Sequence, residues 1–270
     1  MLELTNSNIL KLHANKKPVR QALILAAGLG SRLAKNENDI KPLRQVGGKS
    51  LITRNIETLA NAGVREVIIV TGYHAEKLQR QIKLETRHCP IKITFQFNPE
   101  YKKNNGISVL AAKKLIHSNF ILMMADHIFE PALLKLAANL TTPAGSTVLC
   151  VDYKLHTVFD MDDATKVRTD GTNILNIGKN ITEFNAVDTG LFIASPNLFN
   201  ALEIAKNASD NDDCSLSQGI AALIEKKQIF VQDIKNAIWQ DVDDEAMFIH
   251  AEKIVKSYPF VDSTQIAANA

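Results

Sequence analysis

The chain is short of cysteine, aromatic residues and net charge. Its three cysteines, Cys89, Cys150 and Cys214, lie far apart and form no CxxC pair. An odd, scattered set excludes a disulfide framework and a thiolate zinc site, and fits reduced thiols in a cytosol. Net charge is +2, from 31 basic and 29 acidic residues. That balance gives no general attraction to nucleic acid or to a membrane, so any anion binding must be local. The apolar runs are strand-sized, well below the ~20 residues that cross a bilayer. The start is broken by Glu3, Asn6, Asn8, Lys11 and His13, which excludes a secretory signal. These absences predict a soluble, cytoplasmic protein with no nucleic-acid partner and no membrane insertion.

What is present is alternation. Ala22–Ala27, Glu66–Thr71, Ile91–Phe97, Phe120–Ala125 and Thr147–Val151 read as buried strands. Between them, 50–62, 75–83 and 107–116 carry apolar residues at helical spacing, with Gly63 ending the first. Pro131 suits the first turn of another helix. Such β–α alternation implies a mostly parallel, Rossmann-like α/β sheet flanked by helices, with ligands beyond the carboxyl ends of its strands. The second half adds a hairpin over 164–177 around Asp170-Gly171, a strand over Val187–Ala194, and a helix opened by Ser195-Pro196. Ser215 with Gln218 reads as a capping box, and Asp243–Lys256 as the last helix. No repeat or linker divides the chain. We therefore expect one nucleotide-handling domain over 21–256, an N-terminal extension over 1–20 and a tail over 257–270.

The most informative segment is Leu25-Ala-Ala-Gly-Leu-Gly-Ser-Arg-Leu33, followed by Lys41-Pro42-Leu43. Glycines let a backbone approach phosphate and aim successive N–H groups at it. Arg32 adds a forked cation, and Lys41 can return to the same anion. A dinucleotide GxGxxG is excluded by Leu33 in the third position, and no Walker Gly-Lys-Ser/Thr ending is present. This pattern resembles the signature of the NTP-transferase superfamily, the sugar-phosphate nucleotidyltransferases. The resemblance implies a single α/β domain with a mixed sheet. It puts triphosphate contacts on Gly28, Gly30, Arg32 and Lys41, the last two as catalytic residues. One departure is Ile40, where the family often has proline before the lysine. The candidate nucleotide contacts extend to Leu25, Ala26, Ala27, Ser31, Thr71, Gly72, Asn105, Gly106, Ser108 and Ala125.

Asp126 follows the strand FILMMA directly, at the mouth of the sheet, and Asp241 and Asp243 follow Trp239. Hard carboxylate oxygens suit Mg²⁺ on a triphosphate, and the resemblance implies an aspartate after this strand plus a second late acid. Each has a plainer role: Asp126 as cap of the helix over 130–140, Asp243 as N-cap of the last helix. The choice between Asp241 and Asp243 stays open.

Further segments match one subfamily. They include Asn104-Asn-Gly-Ile-Ser-Val109, Met124-Ala-Asp-His-Ile-Phe129, Phe159-Asp-Met-Asp-Asp-Ala-Thr-Lys-Val167, Ala186-Val-Asp-Thr-Gly-Leu-Phe192 and Trp239-Gln-Asp-Val-Asp243. In this order they resemble the inositol-1-phosphate cytidylyltransferase domain of enzymes making di-myo-inositol phosphate precursors. That implies CTP as nucleotide and inositol-1-phosphate as acceptor. It also implies a downstream membrane CDP-alcohol phosphotransferase, expected as a separate protein because no spanning segment follows. Lys166 and Lys179 flank the hairpin and are candidates for the acceptor phosphate, with Asn104, His127 and Asp188 as further acceptor contacts. Asp188 in an apolar strand is costly to bury without a partner, and Lys179 is one candidate. The Asp213/Ser215 cluster reads as capping.

The runner-up is a cytidylyltransferase for phosphocholine or another aminoalkyl phosphate or phosphonate. It needs an acidic or aromatic box, for which there are one Trp and four Tyr. A sugar-1-phosphate nucleotidyltransferase is third. From a different class, a catalytically silent nucleotide-binding regulator would be expected to lack Arg32, Lys41 or Asp126, and all three are present.

Overall fold

A computed structural model describes residues 14–15, 17–30 and 39–257. Ser31, Arg32, most of the N-terminal extension and residues 258–270 lie outside the described residues. The main elements are, in order, β1 Gln21–Ala26, α1 Leu51–Asn61, β2 Glu66–Thr71, α2 Ala75–Glu85, β3 Lys92–Phe97, α3 Asn105–Ala111, β4 Phe120–Met124, β5 His127–Phe129 and α4 Pro131–Asn139. Then come β6 Thr147–Asp152, β7 Lys166–Thr169, β8 Ile174–Gly178, β9 Ala186–Ala194, α5 Asn197–Asn207, α6 Leu216–Glu225, β10 Ile229–Asp233, β11 Trp239–Asp241 and α7 Glu245–Ser257.

The central sheet has nine strands, with the path β8-β7-β9-β4-β1-β2-β3 and with β6 joining β9 to β10. β1, β2, β3 and β4 pair in parallel, as do β6 and β10, whereas β9 is antiparallel to β4, β6 and β7. The strand read as Ile91–Phe97 and the helix read as 107–116 are present with shifted ends. The helix stops at Ala111 and continues as a 3₁₀ turn over Lys113–Leu115. β10 and the β5–β11 pair carry no sequence reading above.

Alternate residues of β1 face opposite layers. Ala22, Ile24 and Ala26 join the core under α1, α2 and α4; Leu23, Leu25 and Ala27 join the core under α3, α5 and α6. Burial on both faces explains why this parallel strand reads as an unbroken apolar run. The capping box on α6 forms as expected, with Ser215 and Gln218 bonding reciprocally. At the hairpin, Asp170 Oδ1 accepts from the N–H groups of Thr172 and Asn173.

The chain runs outward from β1 through β2 to β3, then crosses back to lay β4 on the other side of β1. That reversal opens a crevice beyond the carboxyl ends of β1 and β4, the place where open α/β sheets hold ligands.

Candidate active site

At the end of β1 the chain turns through Gly28 to Gly30. Gly30 has φ +60, and a Cβ there would lie 2.7 Å from Lys41 Cβ. Only glycine combines that backbone with so close an approach. The stem of Lys41, on the 3₁₀ turn Lys41–Leu43, therefore rests against the Gly28–Gly30 turn. Its ammonium donates to Asp126 Oδ2 at 2.6 Å and to Asp243 Oδ1. Burial disfavours the charged lysine, but attraction from Asp126 and Asp243 outweighs it and raises the lysine pKa.

Asp126 sits two residues past the end of β4. Its other oxygen, Oδ1, lies 2.8 Å from His127 Nδ1. Burial opposes its ionisation, yet Lys41 and then His127 hold the carboxyl well below its usual range. His127 opens β5, which pairs antiparallel with β11 and sets Asp241 opposite His127. Val242 N–H donates to Asp126 O at 3.0 Å. This short ribbon carries the late acids to the mouth of the sheet. The cap of α7 falls on Asp244, whose Oδ1 accepts from Met247 N–H at 2.8 Å. Asp243 is thereby left to Lys41. Asp241 differs: burial, with added repulsion from Asp243 and Asp126, raises its pKa against the opposing pull of His127.

Two cavities meet here. One, of about 450 Å³, is lined by Leu25, Ala26, Gly28, Leu29, Gly30, Lys41, Ala125, Asp126 and Asp243. The other, of about 170 Å³, shares Asn105, Met124, His127 and Asp243 with the first and is otherwise lined by residues such as Asp160, Asp163, Lys179, Asp188, Trp239 and Asp241. Lys179 is ion-paired to Asp163, not to Asp188. Asp188 Oδ1 accepts from Gly190 N–H at 2.7 Å. Burial pushes its carboxyl up to about 6, against that bond and His127. Gly190, at φ +73, lets the His127 ring approach to where a Cβ would stand 2.8 Å from Nε2.

Other candidates have different neighbours. The Lys166 ammonium donates to the Asp162 carbonyl at 3.1 Å and does not line the small cavity. Asn104 donates from its backbone and side chain to Asp213 at 3.0 and 2.7 Å, so Asp213 bonds Asn104 while Ser215 alone caps the helix that follows it. Ser108 Oγ accepts from Asn98 Nδ2 at 3.0 Å, and Thr71 Oγ1 accepts from Gln79 Nε2 at 3.0 Å. Gly72 is crowded by Tyr101 and the Ala27 carbonyl, and Gly106 by Cys214. Ala27 O accepts from Tyr73 N–H at 3.0 Å. None of Ala27, Thr71, Gly72, Asn104, Gly106 and Ser108 lines either cavity. Asp163 and Trp239 also line the small cavity, although the spacing of the sequence did not single them out. Trp239 stacks on His127 with centroids 6.1 Å apart and donates Nε1–H to buried Asp152 at 2.9 Å.

Among the described residues, no three or more His, Cys, Asp or Glu side chains converge to hold a metal by themselves. The donor set nevertheless fits a hard cation shared with a ligand. Asp126 and Asp243 already grip one cation, the Lys41 ammonium, and Mg²⁺ is commonly held by one or two carboxylates plus phosphate oxygens.

Residues 21–257 match the sequence pattern of the family described as nucleotidyl transferase. A bifunctional IPC transferase and DIPP synthase from Rubrobacter xylanophilus is 33% identical over 82% of this chain and 49% of its own length. The chain spans about half the length of the bifunctional relatives it matches. A CMP-5'-(3-aminopropyl)phosphonate synthase from Streptomyces rubellomurinus is 35% identical over 48% of this chain and 20% of its own length. Among solved structures, the inositol-1-phosphate CTP transferase from T. maritima superposes with TM-score 0.77 at 22% identity, covering 89% of this chain and 98% of that one. At that identity the likeness speaks for the fold. No helix among the described residues is long and apolar enough to cross a membrane.

Proposed function

The chain belongs to the nucleotidyl transferase family, and we propose that it transfers CMP from CTP to a small phosphorylated alcohol, inositol-1-phosphate, giving CDP-inositol and pyrophosphate. The observation that carries this reading is Lys41, seated on the phosphate loop and gripped by Asp126 and Asp243, where a large cavity meets a small acidic one.

In the proposed reaction an acceptor phosphate oxygen attacks the α-phosphorus of CTP in line. The new O–P bond forms as the bond to pyrophosphate breaks, and pyrophosphate leaves with the electron pair. A phosphate monoester is already largely ionised near neutrality, so no side chain has to remove a proton. Positioning and charge neutralisation carry the rate. Lys41 and Arg32 offset charge on the triphosphate. Asp126 and Asp243 would hold Mg²⁺, with Asp241 beside them; when bound, the ion screens the phosphate oxygens. Lys179 takes the acceptor phosphate, while Asp188 and Asp163 accept hydrogen bonds from acceptor hydroxyls. CDP-inositol is a substrate for the CDP-alcohol phosphotransferase class, the proposed downstream partner.

A second reading rests on the acidity of the small cavity. Asp160, Asp163 and Asp188 beside the Trp239 ring also suit an ammonium group, and one relative is named for an aminopropyl phosphonate. The test is pyrophosphate release with Mg²⁺, crossing CTP, UTP, ATP, GTP and dTTP with inositol-1-phosphate, phosphocholine, 3-aminopropylphosphonate and glucose-1-phosphate. Release with CTP and inositol-1-phosphate supports the first reading. CTP with an amine acceptor replaces the acceptor and keeps the chemistry. Nucleotide binding without release under any pairing returns the silent regulator.

A further inference from the structure

Lys41 occupies a position that serves two incompatible purposes. Its ammonium contacts Asp126 and Asp243 together. Its stem lies against Gly30, so the same head group is within a side-chain swing of the phosphate loop. The anchor is fixed by the 3₁₀ turn at Pro42, whereas a lysine head moves on a flexible four-carbon stem. The residue is 9% exposed, Asp126 27% and Asp243 16%. In such a half-dry setting a second cation beside the ammonium would be strongly repelled.

We propose that Lys41 and a divalent cation are alternative counter-ions of the Asp126–Asp243 pair. Lys41 thereby suppresses binding of the cation alone and couples its arrival to that of the triphosphate. The triphosphate gives the ammonium somewhere else to go: its phosphates at Gly28–Gly30 draw Lys41 off the carboxylates and bring oxygens to complete the cation's shell. The two carboxylates fall short of a self-sufficient metal cluster, so nucleotide oxygens are needed for the exchange to be favourable. His127 stays on the far oxygen of Asp126 throughout and keeps that carboxylate aimed. The site would then load metal and nucleotide as one unit and stay closed to a stray cation.

The idea rests on the family reading only in taking this pair as the cation site, and its test uses neither CTP nor an acceptor. Mn²⁺ is titrated into the purified chain without nucleotide, with the unbound ion followed by electron paramagnetic resonance. Wild type is expected to bind weakly, and Lys41→Gln at least about tenfold more tightly. Adding Asp126→Asn to Lys41→Gln should abolish that gain. Equal or weaker binding by Lys41→Gln, or a gain that survives Asp126→Asn, overturns the proposal. Thermal unfolding keeps the test open if Lys41→Gln is unstable. Loss of the ammonium that Asp126 and Asp243 share should lower Tm in EDTA, and Mn²⁺ should restore it by taking the ammonium's place. A Tm that Mn²⁺ does not move in Lys41→Gln also overturns it. A chain that failed every transfer assay would still give these outcomes, so the two readings fail separately.

Discussion

Asp188 is the third residue of β9, where burial raises its carboxyl from the ordinary ~3.9 to about 6. A raised carboxyl pKa means that the folded chain binds more protons than the unfolded chain between those two values. Stability contributed by protonated Asp188 is therefore complete below about pH 4 and lost as pH rises through 6. Asp188→Asn keeps an oxygen for Gly190 N–H and removes the titration. It should be more stable than wild type at pH 8, by about 1–3 kcal/mol, and equal to it near pH 4. Urea unfolding at both pH values checks this, and a variant less stable at pH 8 would refute it. Activity should fall, because Asp188 lines the small cavity proposed for the acceptor. At this scale much of the candidate site was readable. Asp126 and Gly28–Gly30 stand directly after apolar strands, and chemistry follows strand ends. Asp163 and Trp239 were not readable, since their partners Lys179 and His127 are chosen by packing rather than by spacing. Likewise, only the observed bond to Met247 assigns the α7 cap to Asp244 and leaves Asp243 to Lys41.

The element that delivers the late acids is the β5–β11 ribbon. Each strand has three residues and they pair across a long sequence gap. Strands that short carry no period of alternation, which is why they leave no mark in the sequence, whereas the runs of β1, β2 and β4 do. β10 was missed for a related reason: its inner residues are only partly buried, so no apolar run stands out. The ribbon is held from behind by Trp239, whose indole bonds Asp152, itself 3% exposed and ion-paired to Lys154. Trp239→Phe keeps a ring against His127 but deletes that bond to a buried carboxylate. It should cost about 1–3 kcal/mol of stability. Trp239 lines the small cavity and not the large one. KM for the acceptor should therefore rise several-fold while KM for nucleotide stays nearly constant. Initial rates against each substrate decide it: an equal rise in both constants would mean that the ribbon as a whole had shifted.

Across the whole molecule, the alternation of strands and helices gave away the parallel half of the sheet, but not the strand order. Nothing local in β4 says that it crosses back beside β1, or that β9 joins it antiparallel. That order places the phosphate loop, Lys41, Asp126 and Asp243 around one crevice although they are scattered over most of the chain. A nucleotide spanning the crevice touches elements that unfolding separates, so its binding energy becomes folding stability. At a concentration one hundred times Kd the gain is about 2.7 kcal/mol. For a chain of this size that moves Tm by roughly 5–10 °C. Mg²⁺ with CTP should give a shift of that order, UTP, ATP and GTP clearly smaller ones, and Mg²⁺ alone almost none, because the Lys41 ammonium already occupies the place between the two carboxylates. Equal shifts with every nucleotide would discard CTP as the preferred substrate while leaving the phosphate loop in place. A full shift with Mg²⁺ alone would instead show that Lys41 does not guard the cation site.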